Sequence, residues 1–240
     1  MNFMKISSLS RIYTNIILTG NKTIYFIDDD NHYLKNVLRV RLGTKFRVFN
    51  GTDGEFLAQI IDISKSSITA LVSERLLQPK AEKPLILMLC LIKIDKMLDA
   101  IDNAVQLGVT EIIPVIAQRS QIHTINIQKF SRRIIEATEQ SERFSPPLLH
   151  QIIKLTDYNS SVSNTTIFAN ENEDLRHNIT QLNLEGCITA IIGPEGGFTD
   201  NELEFLHHLK NSHSVSLGSA VLRTETAVTA MLAQLQLLRQ

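Results

Sequence analysis

The sequence predicts an α/β protein: a C-terminal α/β domain with a mostly parallel sheet, preceded by a small N-terminal β-barrel. Three observations carry this expectation. From Leu85 onward, apolar runs of strand length alternate with segments of helical period, as in a parallel sheet covered by helices. Before Ser73 the apolar runs are short, with turn residues between them and no long helix, as in a small barrel. Near the C-terminus one strand, Ile188–Ile192, runs into Gly193-Pro194-Glu195-Gly196-Gly197, and a second, Val215–Leu217, runs into Gly218. Glycine serves where the main chain takes positive φ or comes close to a partner, so both corners suggest a ligand site built of main chain.

Taken in order, residues 1–74 read as β structure. Ile24–Ile27 is a short strand. Lys45–Phe49 and Glu55–Ile63 flank Asn50-Gly51-Thr52-Asp53-Gly54, which carries both an NG and a DG turn signal. Ser67–Ser73 supplies another strand. His32, Lys35, Arg39, Arg41, Lys45 and Arg47 follow one another without an acidic residue between them. In an extended chain Arg39 shares a face with Arg41, and Lys45 with Arg47. Such a stripe suits phosphate contacts, and equally a solvated strand face. Residues 75–84, with Pro79 and Pro84, form the linker.

The second domain, residues 85–240, opens with the unbroken apolar run Leu85–Ile92, fit for a strand covered on both faces. Asp95 is placed as the cap of a helix bearing Leu98, Ile101 and Val105, with Gly108 as its stop. Glu111–Ala117 is the next strand. Asn126–Ser141 is a helix with Phe130, Ile134 and Ala137 on one face, halted by Pro146-Pro147. Ile152–Lys154 and Thr166–Ala169 are further strands, with a polar loop at Ser160–Thr165. Thr199 stands three residues before Glu202, the capping-box spacing, and opens another helix. The last helix carries Val228, Met231, Leu235 and Leu238 on one stripe, for packing on the sheet or for contact with a second copy. Ligands of such sheets bind outside the carboxyl ends of the strands, where both glycine corners fall.

Composition narrows the function. The chain has 240 residues, 43 % hydrophobic and 20 % charged, as in one or two globular domains. A net charge of −1 means that any attraction for nucleic acid must be local. No apolar run approaches the ~18 residues of a membrane span, and residues 1–20 lack the apolar core of a signal peptide. A cytoplasmic protein without a membrane partner is therefore expected. Cys90 and Cys187 lie in apolar runs without metal-ligand spacing and read as buried thiols. His207 and His208 diverge on a helix, His213 lies in a loop, and no metal site is expected. No lysine follows Gly197 as a phosphate loop requires, the G-x-G-x-x-G fingerprint is absent, and Pro194 removes an amide donor. Gly218-Ser219 does not match the G-x-S-x-G of a serine hydrolase.

The run GPEGGF, followed by LG and then VLRTETA (Val221–Ala227), resembles the SPOUT methyltransferases, and within them the RsmE family of small-subunit ribosomal RNA uridine-N3 methyltransferases. Lys93-x-Asp95-Lys96, Leu107-Gly108-Val109, Arg119-Ser120 and Glu136-Ala137-Thr138-Glu139-Gln140-Ser141-x-Arg143 followed by Pro146 are similar to further motifs of that family. So is His32 with Val37-Leu38-Arg39. Where the family usually carries Lys and Glu before LGV, this chain has Asn103 and Gln106.

The resemblance implies a SPOUT domain with a deep trefoil knot and a PUA-like, RNA-binding barrel. It implies S-adenosylmethionine as cofactor, S-adenosylhomocysteine as product, no metal, and 16S ribosomal RNA or the 30S subunit as partner. It also implies a homodimer. Carried onto this sequence, the cofactor set is Phe168, Ala169, Asn170, Gly193, Glu195, Gly196, Gly197, Leu217, Gly218, Leu222 and Thr224. The RNA-binding set is Arg11, His32, Lys35, Arg39, Arg41, Lys45 and Arg47. Arg223 is expected to stabilise charge on the uracil or grip the RNA; Glu225 is expected to orient Arg223 or act as base. The same two residues could instead close an ion pair of the knot. A SPOUT enzyme acting on transfer RNA or a ribose hydroxyl, and an RNA-binding module without catalysis, are the alternatives.

Overall fold

The computed structural model describes residues 6–161, 164–171, 173 and 179–239. Val162 and Ser163, part of the expected polar loop, lie outside the described residues. The chain forms two compact units: Met1–Ala81 with Thr138–Ser145, and Glu82–Ala137 with Pro146–Gln240. Thr138–Ser145, read above as part of the second domain, thus belongs with the first unit.

The first unit contains β1 (Arg11–Tyr13), β2 (Thr23–Ile27), α1 (Asp28–His32), β3 (Lys45–Asn50), β4 (Gly54–Ile63) and β5 (Ser67–Leu77). They make one sheet in the order β1-β3-β4-β5-β2, with β1 parallel to β3 and the other pairs antiparallel. Register shifts between β4 and β5 bend the long hairpin, as bulges do, and curl the sheet. Alternate residues point inward: Ile24 and Phe26 of β2, Phe46 and Val48 of β3, and Ala58 and Ile60 of β4 share one core. The NG/DG turn is fixed by Asn50, whose Oδ1 accepts the Thr52 and Asp53 amides at 3.0 and 2.6 Å. Asp53 accepts the Leu18 amide at 2.9 Å; that bond, with Asn50's, holds its carboxyl below the usual carboxylate range.

The basic stretch is not one extended strand. Tyr33–Val37 forms a wide π-turn after α1, and Arg39 takes φ 50°. Arg39 and Arg41 therefore lie in a turn region, and only Lys45 and Arg47 lie on a strand.

The second unit contains β6 (Leu85–Cys90), α2 (Ile94–Gln106), β7 (Glu111–Ile116), α3 (Ile127–Gln140, whose last residues belong to the first unit), β8 (Leu148–Leu149), β9 (Ile153–Lys154), β10 (Asn164–Ala169), β11 (Cys187–Ile192), α4 (Asp200–His208), β12 (Ser212–Val215) and α5 (Thr224–Leu238). The sheet runs β12-β10-β11-β6-β7-β8, with β9 also on β7, and every pair is parallel. Leu85, Leu87 and Leu89 face a core shared with α2 and α5, while Met88 and Cys90 face one shared with α4. Both faces are covered, so β6 is apolar throughout. Lys93, not Asp95, holds the N-cap of α2, and no side-chain bond caps it; Asp95 sits in the first turn. Asn103 donates to Thr229 Oγ1 at 3.0 Å, joining α2 to α5, while Gln106 faces solvent.

Candidate active site

Three loops at the carboxyl ends of β10, β11 and β12 enclose a cavity of about 280 Å³. The first is built around Gly193–Gly197. Gly197 has φ 68°, the left-handed region that glycine enters freely, and its amide bonds Pro194 O at 2.9 Å to close a turn. Arg119 lies across Gly196 and donates from Nη1 to its carbonyl at 2.6 Å. The Phe198 ring packs over Gly193, where a Cβ would come within 3.1 Å of it. The expected capping box forms: Thr199 N and Oγ1 donate to Glu202 Oε2 at 2.9 and 3.0 Å. The other oxygen of Glu202 accepts the Gln118 amide at 2.7 Å, tying the start of α4 to the segment after β7.

The second corner differs from the expected strand Val215–Leu217. The strand is Ser212–Val215, and Ser216-Leu217-Gly218 leaves the sheet to line the cavity. Ser216 Oγ donates to Gly218 O at 3.2 Å, competing with continued pairing. Gly218 takes φ 145° with open space where a side chain would begin. From α5, Thr224 Oγ1 donates to Gly193 O at 3.2 Å and so joins the start of that helix to the first corner. The Asn170 amide bonds Val215 O at 3.0 Å, holding the third loop in place.

Of the expected cofactor residues, Ala169, Asn170, Gly193, Glu195, Gly197, Leu217, Gly218, Leu222 and Thr224 line the cavity. Gly196 supports it through its carbonyl. Phe168 does not reach it: alternation along β10 turns its ring into the core on the α4 side, 5.0 Å from the His207 ring. Glu171 also lines the cavity; it closes the segment Phe168-Ala169-Asn170-Glu171, which the resemblance sets along one wall of the cofactor pocket, whereas Arg119 and Asp200 line the cavity without having been among the expected cofactor residues.

Arg223 and Glu225 are not paired with each other. Arg223 is exposed at the N-cap of α5, outside the cavity wall and with no ion pair among the described residues. Glu225 lies one helical face away, on the seam with α2. Its Oε1 meets Lys96 Nζ at 3.5 Å, and its Oε2 is buried without a hydrogen-bond partner among the described residues. Lys96 is held above its ordinary pKa, first by the hydrogen bond to Asp99 and then by the charge of Glu225.

The expected RNA-binding residues of the first unit separate into three groups. His32, Arg39, Arg41 and Lys45 are exposed. Arg11 and Arg47 are buried around Glu55: Arg11 Nε meets Glu55 Oε2 at 2.5 Å and Arg47 Nη1 meets Oε1 at 3.2 Å. The Arg11 guanidinium lies 3.7 Å over the Phe49 ring. Both are thereby removed from the cations available to phosphate. Lys35 spends its ammonium on the carbonyls of Ser64 and Lys65, at 2.6 and 3.0 Å.

Comparisons agree with this geometry along the whole chain. The family model of an RNA methyltransferase domain matches residues 79–236, and that of an RNA methyltransferase PUA domain matches residues 26–73. The ribosomal RNA small subunit methyltransferase E of Rickettsia conorii is 44 % identical over 233 residues, covering 95 % of this chain and 96 % of the relative. The crystal structure of a ribosomal RNA small subunit methyltransferase E from Neisseria gonorrhoeae bound to S-adenosyl methionine is 28 % identical, with TM-score 0.85, covering 96 % of this chain and 98 % of that one. A putative methyltransferase from Legionella pneumophila, in complex with bound cofactor SAM, is 27 % identical with TM-score 0.83, covering 95 % and 97 %. With cavity, sheet order and near full-length identity in agreement, the chain belongs to the RsmE family of SPOUT RNA methyltransferases.

Proposed function

We propose that this protein transfers the methyl group of S-adenosylmethionine to N3 of a uridine in small-subunit ribosomal RNA. The observation that carries the reading is the near full-length likeness to enzymes named for that RNA, in a chain whose family motifs converge on one cavity. The residues present fit the cofactor. Ile192, Leu217, Leu222 and Ala227 offer apolar wall, and the main chain of Gly193–Gly197 and Leu217–Gly218 offers polar groups held at fixed angles. When bound, the cofactor supplies an electrophilic methyl on a sulfonium centre.

Positioning dominates the protein's part, because the displacement requires an in-line approach and little covalent help. Thr224 and Arg119 fix the glycine corner by its carbonyls. Arg223, with no ion pair among the described residues and adjacent to Thr224, contacts the RNA or the charge that develops as N3 loses its proton. Glu225, already bonded to Lys96, anchors the first turn of α5 rather than accepting that proton. His32, Arg39, Arg41 and Lys45 contact RNA phosphates. Family membership also supports a trefoil-knotted chain, a homodimer, the assembled 30S subunit as substrate, and a cytoplasmic site of action. Of the stripe on α5, Val228, Met231 and Leu235 pack inside this chain, leaving Leu237 and Leu238 exposed for a second copy.

The test is methyl transfer from labelled cofactor to small subunits lacking the modification, beside deproteinised RNA. Label recovered as 3-methyluridine by nucleoside mass spectrometry is the expected result. Label on another base or on ribose would move the enzyme to a different specificity, and absence of label on either substrate would overturn the reading.

A further inference from the structure

We propose that Glu171, assisted by Asp200, biases the cavity toward the cationic sulfonium cofactor over its neutral thioether product; this rests on the cofactor reading above. Among the described residues four ionisable side chains line the cavity: Arg119, Glu171, Glu195 and Asp200. Two are already engaged. Arg119 donates to the Gly196 carbonyl at 2.6 Å, and Glu195 accepts from the Gln121 amide. Glu171 makes no hydrogen bond or ion pair among the described residues. Asp200 stands in the first turn of α4, where capping is done by Thr199 and Glu202. Three carboxylates against one guanidinium leave the wall with a formal charge of −2.

The placement of Glu171 makes that charge count. It follows β10, the parallel neighbour of the strand that carries the glycine corner. Its Oε1 lies 3.6 Å from the point where a Cβ on Gly197 would stand. The carboxylate is therefore set against the loop and beside the space that the bare glycine leaves open. Among the described residues no cation neutralises it; Arg119, the one basic residue among those described in the wall, is directed to the loop carbonyl.

S-adenosylmethionine and S-adenosylhomocysteine share the adenosine and the zwitterionic amino-acid end. They differ by one methyl and one positive charge. Contacts with the loops largely cancel in the ratio of their dissociation constants, so that ratio isolates the charge. A carboxylate on the wall of the same cavity, at an effective dielectric constant of about 20 and discounted for solvent exposure, changes the ratio by about three- to tenfold. The wall then holds the cofactor while it carries its methyl and loosens once the methyl has gone to N3 and the positive charge has left as the N3 proton. Product exit is a step that commonly limits turnover.

The experiment is calorimetric titration of the full chain with S-adenosylmethionine, S-adenosylhomocysteine and sinefungin, in which a protonated amine replaces the sulfonium. Glu171→Gln keeps the shape and removes the charge. It is expected to weaken both cationic ligands by about three- to tenfold while S-adenosylhomocysteine stays within about twofold. Asp200→Asn should shift the ratio in the same direction. Equal weakening of all three ligands would make Glu171 a shape contact and overturn the proposal, as would an unchanged ratio in Glu171→Gln. Failure of every ligand to bind the unsubstituted protein would instead remove the cofactor reading, and the proposal with it.

Discussion

Replacing Glu55 by Gln separates a structural from an RNA-binding role for the buried arginines. Glu55 is 1 % exposed and bridges Arg11 and Arg47 with its two oxygens. Without its charge, Arg11 keeps only neutral acceptors: the carbonyls of Thr138 and Glu139, each at 3.3 Å, and that of Arg143 at 2.9 Å. Arg47 keeps Glu142 at 3.2 Å, but that side chain is 64 % exposed and its attraction is screened. Removing one partner of a buried pair costs about 3–5 kcal/mol. Gln preserves volume and one acceptor oxygen, so the lower end, about 3 kcal/mol, is expected. At a urea slope of about 1.5–2 kcal/mol per molar, the midpoint of the first unit should fall by about 1.5–2 M. Circular dichroism should follow the transition, since the chain has no tryptophan. A loss below about 1 kcal/mol, the range of a surface pair, would refute the reasoning and return both arginines to the cations free for RNA.

Arg39→Ala and Arg41→Ala should each flatten the dependence of log binding constant on log salt by about 0.7–0.9 for every phosphate the variant no longer neutralises, without moving the melting temperature; an unchanged slope in filter binding would exclude that residue from the RNA surface. Gly197→Ala forces an L side chain to φ 68° and should cost about 1–2 kcal/mol locally. Its signature is a smaller rise in melting temperature on adding S-adenosylhomocysteine, and an undiminished rise would show that the corner tolerates a side chain. Burial, reinforced by the charge of Glu202, pushes the Cys90 thiol well up. A group with a raised folded pKa gives stability that is complete below its unfolded value, about 8.5, and is lost as pH climbs from there toward the folded value. Stability should therefore fall between about pH 8.5 and 10 by up to about 1.4 kcal/mol per pH unit, and Cys90→Ala should remove that part of the slope.

What could be read from the chain was local. The NG/DG turn and the capping box each depend on residues within a few positions, so their spacing sufficed. The main-chain cavity was legible for the same reason: each glycine corner follows its own strand. The buried ion cluster was not. Arg47 is only 8 positions from Glu55, across one hairpin, but Glu55 is 44 from Arg11 and Arg47 is 95 from Glu142, so no short window holds the whole cluster. A three-residue strand such as β1 also shows no period to mark it. Arg47 accordingly resembled its exposed neighbours in the basic run. Two other outcomes were within reach of simple geometry. On α5, Thr224, Ala227, Val228 and Met231 are buried, and Thr229, which bonds Asn103 of α2, lies four residues after Glu225. One-turn spacing puts Glu225 on that seam with α2 and away from the cavity, which is where Lys96 meets it. On β10, alternation turns Phe168 to one face of the sheet, and what the cavity receives is the residues that leave the strand after it. That edge supplies Asn170 and Glu171, so the carboxylate proposed to sense the cofactor's charge stands where a parallel sheet presents ligand-binding groups.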